Sequence, residues 1–247
     1  TSITMSYIIY DLKHFEESKF KFYWNTEELK ELIGFSGWHL MGTFANVVRS
    51  QGINILLNMF FNPAVNAARA VAFQIYNAVS QLSGNFFTAV KPQIYKSYAN
   101  KDMKGLYRLI NQSTGISTFL ISLLIFPILS NTSTILGFWL KEVPDYAIIF
   151  TQLVLINGLI DATNGPTIAP ALATGKIKKF QLVLSLVIFL NLPISYVVLK
   201  LGAEPTMTMI ISIIISYGSI FIKAIMLTQL IEMPLFNYIK LVLKISM

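Results

Sequence analysis

NAARAVAFQIYNAVSQLSGNFF, residues 66–87, is long enough to cross a membrane as a helix. Yet it carries Arg69, Gln74, Asn77, Ser80, Gln81, Ser83 and Asn85. Wound as a helix over 64–90, it places Asn66, Ala70, Gln74, Asn77, Gln81, Asn85 and Thr88 on one face. Val71, Ile75, Val79, Leu82 and Phe86 fall on the other. The preceding stretch, 35–60, repeats the pattern. Ser36, His39, Thr43, Asn46, Ser50, Asn54 and Asn58 form a polar stripe with Arg49 beside it. A polar face inside a membrane must look at protein or water, because lipid tails satisfy no hydrogen bond. Three readings follow: a water-filled cavity, amide glue between packed helices, or helices lying on the surface. Stripes seven positions long, polar at every position but Ala70, exceed what glue needs, which favours the cavity. Amides and hydroxyls without carboxylates suit sugars, and the arginines suit an anion.

The composition agrees with a membrane setting. Of 247 residues, 54% are hydrophobic and 13% charged, about half the charge of a soluble domain; mean hydropathy is +0.60. A net charge of +7 could suggest nucleic acid, but the basic residues fall between apolar runs, so no nucleic-acid partner is expected. With no cysteine and two histidines, disulfide, zinc and thiol chemistry are not expected. No nucleophile elbow, phosphate loop or zinc-helix motif occurs, so an enzyme is not expected, nor a cofactor.

Six candidate spans emerge at 35–60, 64–90, 113–130, 146–173, 180–200 and 206–231, the last four largely apolar. Before them lies the one charge-dense stretch, 11–33. There NTEELKELI starts an interfacial helix, with Asn25 or Thr26 as N-cap. After them, 232–247 reads as a short surface helix in a cytoplasmic tail. The chain is thus divided into a linker at 1–33, a transmembrane lobe at 34–231 and the tail. The opening TSITMSYIIY reads as the end of an earlier membrane helix, and a C-terminal piece of a longer protein is expected. Lysine and arginine alternate between the loops. Fourteen of nineteen fall on one side, only Lys141 and Lys200 on the other, and Arg49, Arg69 and Lys223 within spans. Both termini are therefore expected in the cytoplasm.

Within the fourth span, Gly165-Pro166 and Pro170 should kink or break the helix. Broken helices recur at transporter sites, and tolerated kinks are common. Asp161 sits about 22 Å along that span; it reads equally as a proton-coupling group or as a member of a structural ion pair. Lys223 is explained by snorkelling. His39 is expected to hydrogen-bond within its stripe. Arg49 and Arg69 are expected to receive an anion together, although snorkelling would also account for Arg69 and an ion pair for Arg49. The connecting turn lies about 16 Å from Arg49 and about 8 Å from Arg69.

The charged linker, LKELIGFSGWHLMG, the polar hairpin from Gly52 to Ile110 and the later PALATGKIKKF together resemble the C-terminal half of a bacterial polysaccharide transporter. The family is the O-antigen and lipid-linked oligosaccharide flippases, within the superfamily of multidrug and toxin extruders. The resemblance covers essentially the whole chain. It implies an all-α protein: a six-helix transmembrane bundle forming one lobe of a twelve-helix alternating-access transporter. Its site would be in the bacterial inner membrane, among membrane lipids, facing an N-terminal lobe that this chain lacks. The implied substrate is undecaprenyl-diphosphate-linked oligosaccharide. Arg49, Arg69, Asn46, Asn77 and Gln81 would bind it, with Asp161 as ion-coupling residue. The rivals are a multidrug extruder lobe, whose cavity should carry more carboxylates and aromatics, and a non-transporting scaffold for glycan assembly.

Overall fold

The computed structural model describes residues 2–15 and 24–233. Among them every regular element is helical and no strand occurs. Two units are distinguished, 1–36 and 37–247. The first contains α1 (Ser2–His14) and the beginning of α2 (Thr26–Phe60). Asn25 caps α2: its Oδ1 accepts from the backbone N–H groups of Glu27 and Glu28 at 3.0 and 3.4 Å. Its amide donates to Glu28 at 2.9 Å, closing a reciprocal cap. The expected interfacial helix is not separate, however. No proline interrupts 26–60, and single glycines such as Gly34 cost only about 1 kcal/mol each, so one helix of 35 residues runs through.

The second unit holds the remaining helices. α3 (Pro63–Ala99) starts with Pro63 in the first turn and Asn62 as N-cap, accepting from Val65 N–H at 3.1 Å. It continues past the expected end at 90 and through Pro92. α4 (Met103–Ser130) likewise begins ten residues earlier than 113, capped by Asp102, which accepts from Gly105 N–H at 2.9 Å. A short α5 (Thr132–Trp139) follows.

The expected break in the fourth span falls at Gly165–Thr167, a 3-10 turn between α6 (Ala147–Asn164) and α7 (Ile168–Ala173). Pro166 has no N–H to donate, and its ring collides with the carbonyl four residues back. Pro170 is tolerated in the first turn of α7. The fifth span is divided too, into α8 (Lys178–Phe189) and α9 (Asn191–Lys200), because Pro193 forbids the bond to Phe189. α10 (Met207–Ile231) is unbroken. The tail helix expected within 232–247 lies outside the described residues from 234 onward.

Three stretches are long and apolar enough to cross a membrane: Met103–Ser130, Lys178–Lys200 taken across the break, and Met207–Ile231. Ala147–Thr163 is apolar but shorter. α2 and α3 have the length without the apolarity, because of their polar stripes.

α3 is central, packing on α4, α6 and α7, while α10 packs on α6, α7, α8 and α9. Apolar clusters fill both ends. One gathers Ile94, Leu106, Phe180 and Leu227, the other Leu57, Val65, Leu136 and Phe150. A smaller cluster around Val79, Ile121 and Leu155 lies along α3, α4 and α6. Buried hydroxyls on α4 are satisfied within the helix: Thr114 and Thr118 each donate to the carbonyl four residues back at 2.8 Å. α2 is the outlier. Joined to α3 by two residues, it splays from it instead of packing along it, and it buries only Ala45, Ile53 and Leu57.

Candidate functional site

The splay opens a groove of about 720 Å³ between α2 and α3. Ser50, Asn54 and Asn58 line it from α2; Asn66, Arg69, Phe73, Gln74 and Asn77 line it from α3. No lining residue carries a carboxylate. The stripe residues on both helices are exposed or half-buried, so side-chain glue does not consume these faces.

Arg69 is the anchor of this groove, only 6% exposed. Snorkelling to an interface is therefore overturned. Its Nη1 donates to Asn54 Oδ1, bridging the two splayed helices. The guanidinium lies over the Phe73 ring, 4.5 Å from its centroid, a cation–π contact one turn along α3. Asn54 is itself held by its amide, which donates to Gln51 at 3.1 Å. The Arg69 Nε is buried and has no partner. A guanidinium is always charged and carries five N–H donors, and this one stands at the wall of an acid-free groove. An oxyanion is the chemistry that fits.

Arg49 is close enough for its charge to act on Arg69, but it does not line the groove. It lines a second cavity, of about 420 Å³, reached from α2, α6, α8 and α10. Asp161 and Lys223 line this inner cavity as well, together with His39, Asn46, Gln181, Ser185, Ser216 and Ser219. Arg49 and Lys223 are close enough for their charges to act on Asp161. The carboxylate also accepts from the Asn157 amide at 2.9 Å, and Tyr76 lies beside it on the wall of a smaller chamber. Lys223 thus lines an inner polar cavity with Asp161, and snorkelling no longer explains it. Ser185, fully buried, has an unpartnered hydroxyl.

The residues named from sequence therefore divide. Arg69 and Asn77 share the groove; Arg49, Asn46 and Asp161 share the inner cavity. Gln81 is exposed further along α3 and lines neither. Tyr76, Gln181, Ser185, Ser216 and Ser219 were not anticipated. A signal existed: Ser212, Ser216, Ser219 and Lys223 recur at helical spacing along α10, as do Gln181 and Ser185 along α8. Among the described residues, no group of three His, Asp or Glu side chains is assembled for a metal.

This all-helical build, with three helices long and apolar enough to span, is compatible with a helical membrane protein. No family model, curated protein or solved structure matches the chain.

Proposed function

We propose that this chain is one six-helix lobe of a flippase that moves undecaprenyl-diphosphate-linked oligosaccharide across the bacterial inner membrane. In this reading α2, α3, α4, α6–α7, α8–α9 and α10 each cross the bilayer, with both ends of the segment in the cytoplasm. Transport proceeds by alternating access against a second lobe. The observation that carries the reading is the acid-free groove, where amides and hydroxyls surround a buried arginine with an unpartnered N–H. Amides match sugar hydroxyls, and the guanidinium matches a diphosphate oxygen. Asp161, in the neighbouring cavity with Arg49 and Lys223, is the residue proposed to couple transport to protons.

The multidrug-extruder alternative calls for carboxylates facing the ligand, and the groove lining has none. A scaffold for glycan assembly would need the stripes filled by partners. The deciding experiment reconstitutes the chain, alone and with a candidate N-terminal lobe, in vesicles holding fluorescent undecaprenyl-diphosphate oligosaccharide. Transfer of the label between leaflets supports the reading. Label that stays in one leaflet in both preparations, beside uptake of a lipophilic cation, would overturn it in favour of an extruder.

A further inference from the structure

Asp161 borders two cavities, not one. Beyond the inner cavity lies a smaller chamber of about 190 Å³ between α3, α4 and α6. Tyr76, Ser80, Ser83, Ser117 and Asp161 line it, with Phe87 and Ile121 among its apolar wall. One water occupies about 30 Å³ in the liquid, so the chamber has room for several. Its hydroxyls suit water: Ser80 and Ser83 each donate to a helix carbonyl at 3.1 Å, leaving oxygen lone pairs to accept. Gly84 on its rim is exposed.

Tyr76 holds the partition. Its ring reaches from α3 against α6, and it lines the chamber beside the Asp161 carboxyl. It can do so because α6 presents Gly158 to its ring. A Cβ at that position would stand 2.5 Å from Tyr76 Cε2, closer than two carbons can approach.

We propose that the chamber is a second water route to Asp161, so that its carboxyl group exchanges a proton with either cavity, and that Tyr76 is the positioning residue that keeps it there. The inference rests on the reading of Asp161 as the coupling residue. The proton balance is simple. A proton from water in one cavity bonds to a carboxylate oxygen, and the acid later releases it to water in the other. Tyr76 keeps its own proton throughout. The other groups that face the carboxyl are Arg49 from α2, Lys223 from α10 and Asn157 on α6. α4 contributes Ser117 and no charge.

Infrared difference spectroscopy of the whole chain in lipid nanodiscs tests this. Acidification should raise a protonated-carboxyl band that Asp161→Asn removes. Tyr76→Phe and Gly158→Ala should both shift its frequency, since the first removes the polar group beside the carboxyl and the second displaces it. Replacing Ser80, Ser83 and Ser117 by alanine should slow deuterium exchange of that band several-fold, because an apolar chamber stays dry. Ser117→Val, which plugs it, should do the same, and Ser117→Thr, which keeps the hydroxyl, should slow it less. A chain without any band sensitive to Asp161→Asn would remove the coupling reading itself. A band that titrates normally but exchanges at the unsubstituted rate in both the alanine and valine variants would leave coupling intact and overturn the second route.

Discussion

Replacing Arg69 separates an anion site from a structural bridge. In Arg69→Gln the charge and the buried Nε–H disappear, while one amide remains near Asn54. A hydrogen bond to a charged group contributes about 1.5–3 kcal/mol. At about 1.4 kcal/mol per decade, the loss corresponds to about 10- to 150-fold weaker binding of a diphosphate. Arg69→Lys keeps the charge but loses the planar fork and its stacking on Phe73, so its loss should be intermediate. Asn54→Ala supplies the structural control. It removes the residue that aims the guanidinium but no charge, and should cost about 1 kcal/mol, roughly fivefold. The assay is equilibrium binding of inorganic pyrophosphate to the chain in neutral-lipid nanodiscs at fixed ionic strength, since screening changes the scale. The order should be unsubstituted chain, Asn54→Ala, Arg69→Lys, Arg69→Gln. If Arg69→Gln binds pyrophosphate as tightly as the unsubstituted chain, the groove is not an anion site.

Three further outcomes are expected. Because the chain has no cysteine, single cysteines at Asn62, Asn131 and Gly202 should react with an impermeant periplasmic reagent and those at Asn100 and Lys178 should not; the opposite pattern would refute the topology. Asp161→Asn should abolish the dependence of transport on the proton gradient without loss of membrane insertion, and normal coupled transport would assign the residue a structural role. Asn191, fully buried, donates to Ser212 on α10 at 3.0 Å. Its replacement by alanine should destabilise the chain by about 1–2 kcal/mol in micelle unfolding, given about 0.6 kcal/mol for an average interhelical bond in a membrane plus the space left behind; an unchanged midpoint would show that the α9–α10 contact is dispensable.

The helices and their polar stripes were legible because period 3.6 is written directly into residues 36–58 and 66–88. Helix ends were less so. Polar and basic residues between 91 and 99 read as loop, but nothing there except Pro92 opposes a helix, and α3 goes on. The pairing of Arg49 with Arg69 could not be read. The α2 stripe from Ser36 to Asn58 is about 33 Å long, longer than either cavity it meets. Its earlier part, with His39, Asn46 and Arg49, faces α6, α8 and α10; its later part, with Ser50, Asn54 and Asn58, faces α3. Which neighbour a stripe meets depends on crossing geometry, which one helix's sequence does not contain. Lys223 was misread for a related reason: depth along a helix was weighed without the serines that share its face.

α3 runs 37 residues without a break, about 55 Å at 1.5 Å per residue, against a hydrocarbon core of about 30 Å. A rod so much longer than its bearing is a lever. If the Asn62 end is held while α3 tilts by about 10°, the Lys96 end sweeps about 9 Å. The movement at Arg69, two turns from the pivot, is then only about 2 Å. Small adjustments around Arg69 are thereby magnified at the far, lysine-bearing end, where a spectroscopic label would register motion too slight to detect in the groove itself.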